Sequence, residues 1–204
     1  MSIALPPRLT LATRNKGKAR ETSALLGGRF ALATLTESGF IGDIEETGGT
    51  FAANAIIKAE TVGRALNLPV LADDSGLITD ALNGEPGVLS ARYAGVHGDD
   101  SANNALLLER LRGVPAPRTA RFVCVLALSR PGQPTIIAEG VCEGEIGLEP
   151  DGCGGFGYDP LFYYNGVSFA RMSAEQKNRV SHRAAAARNL IDLLDKRHAS
   201  DKTD

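Results

Sequence analysis

Four stretches of this chain concentrate residues able to act on a charged ligand. Thr13, Arg14, Asn15, Lys16, Gly17 and Lys18 follow a short apolar run and open a helical pattern. A helix N-terminus presents unpaired N–H groups and a positive dipole end, so cations placed there oppose the helix and favour an anion. The stretch reads as a phosphate cradle. It is not a P-loop, because Gly17-Lys18 is followed by Ala19 and no Gly lies five residues earlier. Asp73, Asp74, Ser75 and Gly76 interrupt a second apolar run. Adjacent carboxylates on extended backbone face opposite ways, so one points inward, where a metal or a raised pKa accommodates it. Glu45 and Glu46 are the natural second source of carboxylate oxygens, a sparse set that fits Mg²⁺ better than calcium or zinc. An Asx-turn or helix cap is the plain alternative for an Asp pair.

The third stretch runs from Gly152 to Pro160. It holds a literal G-x-G-x-x-G at Gly152, Gly154 and Gly157, yet no long strand feeds it and Pro160 stands where a helix should run, so no dinucleotide site is expected. Phe156 or Tyr158 could stack on a flat ring, with Asp159 accepting hydrogen bonds and Gly157 supplying backbone freedom. A tight turn is the alternative. Lys177 and the pair His182-Arg183 form the fourth stretch, read as the start of a C-terminal helix, again at the end that favours anions. His97 and His198 have no such company.

These residues must be positioned by ordered elements. Arg8 to Thr13 reads as a buried strand, Lys16 to Leu26 as a helix ended by Gly27-Gly28, and Phe30 to Leu35 as a second strand. Thr50 caps a helix whose apolar residues recur at helical spacing until Asn67 and Pro69. Val70 to Ala72 and Leu77 to Thr79 read as extended pieces broken by the Asp pair. The glycine-rich stretch from Asn83 to Gly98 predicts a loop, and Asp99 or Asp100 starts a helix through Leu111. Ala120 to Leu128 and Thr135 to Val141 suit a hairpin turning at Pro131-Gly132, with Glu143 to Leu148 continuing the meander. Ser181 begins the last helix, and residues 198–204 form a polar tail expected to be disordered. The expectation is a mixed α/β domain, one unit over 1–204, around a twisted mixed sheet.

Composition narrows the class. The 204 residues hold 22 Lys+Arg against 24 Asp+Glu, for a formal net charge of −2, which argues against a duplex-binding protein. The charges are segregated, with six basic and one acidic residue in 1–35 but two basic and nine acidic in 36–90. Residues 171–204 return to eight basic and five acidic. If the fold brings them together, basic ends flanking an acidic middle suit a phosphate ligand carrying a divalent metal. No apolar stretch is long enough for a membrane span and no leader pattern opens the chain, so a cytoplasmic protein is expected. Cys124, Cys142 and Cys153 match neither a zinc nor a redox spacing and read as reduced thiols.

The segments TRNKGKxRE, EETGGTFxxNAxxKA, ADDSGL, PGVLSARYAG, GGFGYDPLF and KNxxSHR, in that order over nearly the whole chain, resemble the Ham1/RdgB family of non-canonical purine nucleoside triphosphate pyrophosphatases. The resemblance implies a two-lobed α/β fold with a central cleft, a homodimer, and Mg²⁺-dependent hydrolysis of dITP, ITP and XTP to monophosphate and pyrophosphate. Cleansing of deaminated nucleotides from the precursor pool would follow. It also implies that Thr13 to Lys18, with Asn15 and Lys18 as anchors, and Lys58 and Ser75 contact the substrate. Glu46 and Asp74 would bind metal, and Asp74 or Asp73 would accept the proton of the attacking water. Base-side contacts would fall on Phe156, Gly157, Tyr158, Asp159, Lys177, His182 and Arg183. Selectivity would come from donors such as Arg183, Lys177 or loop N–H groups facing the 6-keto oxygen. Arg14 departs from the pattern, since many members carry Gly there. The rival readings are a phosphotransferase using the same cradle, and a nucleotide or single-stranded RNA binding module using Phe156, Tyr158 and the basic ends.

Overall fold

The structure, a computed structural model, describes residues 8–200. Strand β1 (Arg8–Leu11) leads into α1 (Lys16–Leu26) and β2 (Ala31–Ala33), shorter at their ends than the two strands expected. The N-terminus of α1 is closed by Asn15, whose side chain accepts from the Lys18 N–H at 3.0 Å. Helix α2 (Phe51–Leu66) starts at Thr50, which accepts from the Ala53 N–H, and stops at Asn67 in the left-handed conformation, φ 51°. Both ends match the sequence reading.

Strand β3 (Val70–Thr79) is continuous through Asp73, Asp74, Ser75 and Gly76, where the sequence suggested a break. Its two carboxylates do not disrupt the strand because each meets cations on its own side. A 3₁₀ turn at Asp80–Leu82 follows β3, and the glycine-rich stretch from Asn83 to Gly98 is not wholly irregular, since a second forms at Gly87–Arg92. Helix α3 (Asp100–Arg110) is capped by Asp99. The hairpin is longer than expected: β4 (Thr119–Arg130) and β5 (Gln133–Ile146) absorb most of the segment assigned to a further meander strand. A second hairpin, β6 (Phe162–Tyr164) and β7 (Val167–Ser168), and helix α4 (Ala174–Val180) were not expected. Lys177 therefore sits in α4, not at the start of the last helix, α5 (His182–Ser200). Residues 198–200 continue the α5 helical ladder instead of fraying, while 201–204 lie outside the described residues.

The strands form one mixed seven-stranded sheet in the order β2-β1-β3-β4-β5-β6-β7. β1 runs parallel to β2 and β3, whereas β5–β6 and β6–β7 are antiparallel. Contacts group the chain into two compact units. The first takes the described residues of Met1–Asp74, Cys124–Gly140 and Arg183–Asp204, around a core of Leu9, Leu11, Leu71, Leu126, Leu128 and Leu190. The second takes Ser75–Val123 and Val141–His182, around Leu77, Leu107, Phe122, Phe162 and Phe169. No described helix is long and apolar enough to cross a membrane.

Candidate active site

Within the first unit, β3 carries Asp73 and Asp74 into two different surroundings, because successive strand residues face opposite ways. Asp73 is buried and both its oxygens are engaged. Lys18 Nζ, from the first turn of α1, lies 3.0 Å from Oδ1, and Arg183 Nε, from the start of α5, donates to Oδ2 at 2.7 Å. The Cys124 thiol on β4 donates to Oδ2 at 3.3 Å, and Arg183 also pairs with Glu21 on α1. Burial by itself would raise the Asp73 pKa, but the Arg183 and Lys18 charges overcome it and hold the carboxyl well below its ordinary value. Burial and the neighbouring Asp73 charge push the Cys124 thiol well up, so it stays a neutral donor.

Asp74 faces Lys58, whose Nζ lies 2.6 Å from Asp74 Oδ1 and 3.2 Å from Glu46 Oε1. One ammonium from α2 is thus shared by two carboxylates from separate segments. Burial pushes the Asp74 carboxyl above its ordinary value, outweighing Lys58 and Lys18, with Glu46 adding repulsion. Lys58 is pulled up against its own burial by Asp74 and Glu46. Two oxygens converging on one cation form a hard-cation donor pair. No described group of three or more His, Cys, Asp or Glu is arranged to cage a metal. A pair of carboxylates is the protein contribution typical of Mg²⁺ when waters and phosphates complete the shell.

Other members of the opening stretch make contacts of their own. Thr13 Oγ1 accepts from the Asn15 N–H at 3.2 Å, and Lys16 is exposed. Arg14 donates to Asp43 Oδ1 at 3.0 Å and to the Gly42 carbonyl, so the side chain that departs from the Gly pattern reaches the connection between β2 and α2.

The second unit holds another constellation. Lys177 Nζ pairs with Asp159 Oδ2 and lies 4.9 Å from the Phe156 ring centroid and 5.4 Å from that of Phe169. The Phe156 N–H donates to Asp159 Oδ2 at 2.9 Å, and the Gly157 N–H to Asp100 Oδ2 at 2.7 Å. These two loop N–H groups, expected as donors to a base, are committed inside the protein. Tyr158 is buried in the core with its hydroxyl donating to the Ser90 carbonyl at 2.9 Å, so of the two aromatics only Phe156 is placed for stacking. His182 is buried with its ring stacked on Phe122 at 4.7 Å. Arg183 belongs to the aspartate cluster of the first unit through its Asp73 and Glu21 pairs. Ser75 follows Asp74 on β3, half-buried.

Sequence reasoning missed Glu21, Cys124, Asp100 and Asn104. Glu21 carried a signal: it stands three residues after Lys18, on the same face of α1. Cys124 had none, because its contact with Asp73 spans 51 residues.

The sequence model of the Ham1 family matches residues 9–193. The chain belongs to the Ham1 family. A relative named dITP/XTP pyrophosphatase from Halalkalibacterium halodurans is 51% identical over 91% of this chain and 97% of its own. One of the same name from Bacillus subtilis is 49% identical over 91% and 96%. Among solved structures, the Staphylococcus aureus Ham1 protein aligns with a TM-score of 0.83 at 42% identity, over 93% of this chain and 99% of that one. A nucleoside-triphosphatase / dITP/XTP pyrophosphatase from Mycobacterium abscessus gives 0.74 at 43%, over 92% and 98%. In this Ham1 chain the aspartate cluster and the lysine–aromatic cluster fall inside the matched span.

Proposed function

We propose that this Ham1 protein hydrolyses non-canonical purine nucleoside triphosphates, of the dITP, ITP and XTP class, to the monophosphate and pyrophosphate. The observation that carries the reading is the shared Lys58 ammonium between Glu46 and Asp74, beside an Asp73 whose oxygens are engaged by Lys18 and Arg183. Glu46 and Asp74 would hold a Mg²⁺, which when bound supplies charge neutralisation along the triphosphate.

Asp74 is the better candidate for the proton acceptor. Its Oδ1 is fixed by Lys58, which leaves Oδ2 to take the proton of a water aligned with the α-phosphorus. Asp73, with Oδ1 on Lys18 and Oδ2 on Arg183 and Cys124, positions those cations instead. Lys18, the Asn15-capped end of α1 and Lys58 counter the phosphate charges. For the base, Lys177 is the donor that suits a keto oxygen at purine position 6, and Phe156 is the stacking face. An adenine amino group there would set donor against donor. Cleansing of deaminated nucleotides, a homodimer and a cytoplasmic location complete the reading.

The test is direct detection of pyrophosphate from dITP and ITP by the purified chain, with and without Mg²⁺. Metal-dependent release of pyrophosphate and monophosphate is expected. Orthophosphate as first product would indicate γ-transfer, and binding of single-stranded RNA without turnover would restore the binding-module alternative.

A further inference from the structure

Inside the second unit, helix α3 grips a single residue of the glycine loop at two points. Asp100 Oδ2 accepts the Gly157 N–H at 2.7 Å, and Asn104 Nδ2 donates to the Gly157 carbonyl at 2.9 Å. The two side chains stand four apart and therefore share one face of the helix. Asp99, which accepts the Ala102 N–H at 3.0 Å, performs the capping, so Asp100 is released to face the loop. Asn103 anchors the same turn elsewhere by accepting the Ala94 N–H at 2.8 Å.

Gly157 has φ +63°, a conformation that glycine tolerates without being confined to it. What confines it is the helix. The Gly157 N–H belongs to the peptide that follows Phe156, and the Gly157 carbonyl to the peptide that precedes Tyr158. Fixing both sets two successive peptide planes. Phe156 is then held on each side: its own N–H by Asp159 and the next peptide by Asp100. We infer that Asp100 and Asn104 are positioning residues for base recognition, which orient Phe156 against the Lys177–Asp159 pair without touching the substrate. This inference rests on the purine-triphosphatase reading above and extends it to residues outside the glycine loop.

The test compares wild type with Asp100→Asn, Asn104→Ala and Asn104→Asp for dITP and dATP turnover, thermal unfolding and amide exchange of Gly157. Asn104→Asp is nearly isosteric but sets two acceptors face to face, and is expected to have the largest effect. Asn104→Ala should raise KM for dITP by about tenfold with kcat within about twofold, the loss expected of one positioning hydrogen bond. The preference for dITP over dATP should fall in parallel. Asp100→Asn keeps an acceptor oxygen and should retain most of the wild-type behaviour. Gly157 amide exchange should quicken in both Asn104 variants. Unchanged Gly157 exchange, or an equal loss on dITP and dATP, would overturn the inference. A wild type that does not prefer dITP would count against the purine-triphosphatase reading, while the exchange measurement would still decide the clamp.

Discussion

Asp73 and Asp74 carry the same side chain one position apart and have opposite chemical fates. Asp73 is tied into a buried network with Lys18, Arg183 and Cys124, so Asp73→Asn should leave buried cations uncompensated and cost about 3–5 kcal/mol of stability. Because its folded-state pKa lies below the ordinary value, this contribution is fully present above the ordinary aspartate range. It declines as the pH falls below that range and is gone once the pH has fallen through the lower folded-state pKa, so the gap between wild type and Asp73→Asn should narrow in acid and close only in strong acid. Asp74→Asn keeps an acceptor for the buried Lys58 ammonium, which Glu46 still pairs, so unfolding should shift by about 1–3 kcal/mol, less than for Asp73→Asn. Pyrophosphate release should fall by at least about a hundredfold, as expected for loss of a general base. Urea unfolding and a pyrophosphate assay on the two variants separate the roles, and the reverse pattern would exchange them. The sequence suggested that one of the two points inward, but both are buried, because each face of the strand meets its own cation. Their partners were not legible, since Arg183 is 110 residues from Asp73.

At the scale of elements, what was legible had a local cause and what was not had a distant one. Helix α2 was read to its last residue because Thr50 and Asn67 punctuate it within the sequence. The break assigned to β3 came from treating charged residues as intrinsically disruptive, when their cations arrive from α1, α2 and α5. Two misses were readable after all. Asn165-Gly166, with φ 49° and 77°, is the favoured two-residue hairpin turn between β6 and β7. Ser173 and Gln176 form a capping box that starts α4 and so places Lys177. The glycine loop joins these elements through Gly155, which has φ +74° and where a Cβ would lie 2.0 Å from Asp159 Oδ2. Gly155→Ala should therefore displace the carboxylate that holds Lys177 and the Phe156 N–H, costing about 1–3 kcal/mol. Thermal unfolding and KM for dITP measure this. A variant with wild-type values in both would show that Asp159 is not held by the loop.

At the scale of the whole chain, the segregation of charge anticipated the aspartate cluster. Lys18 from the basic N-terminal stretch, Glu46, Asp73 and Asp74 from the acidic middle, and Arg183 from the basic C-terminal stretch all belong to the first unit. Cations and carboxylates drawn from such distant segments neutralise one another only if the chain is folded, so a ligand that adds to this balance should bind the folded state alone. The α,β-methylene analogue of ITP, which resists cleavage at the α-phosphorus, is such a ligand. At about a hundred times its Kd, with Mg²⁺, it should stabilise the protein by about 2.7 kcal/mol. For a chain of this size each kcal/mol moves Tm by about 2–4 °C, so a rise of about 5–10 °C is expected, reduced when EDTA removes the metal. Single-stranded RNA should leave Tm unchanged, because Lys18, Lys58 and Arg183 are paired with carboxylates and do not form a basic track for its backbone. A shift with RNA and none with the analogue would mean that the segregated charges serve a nucleic-acid backbone instead of a triphosphate.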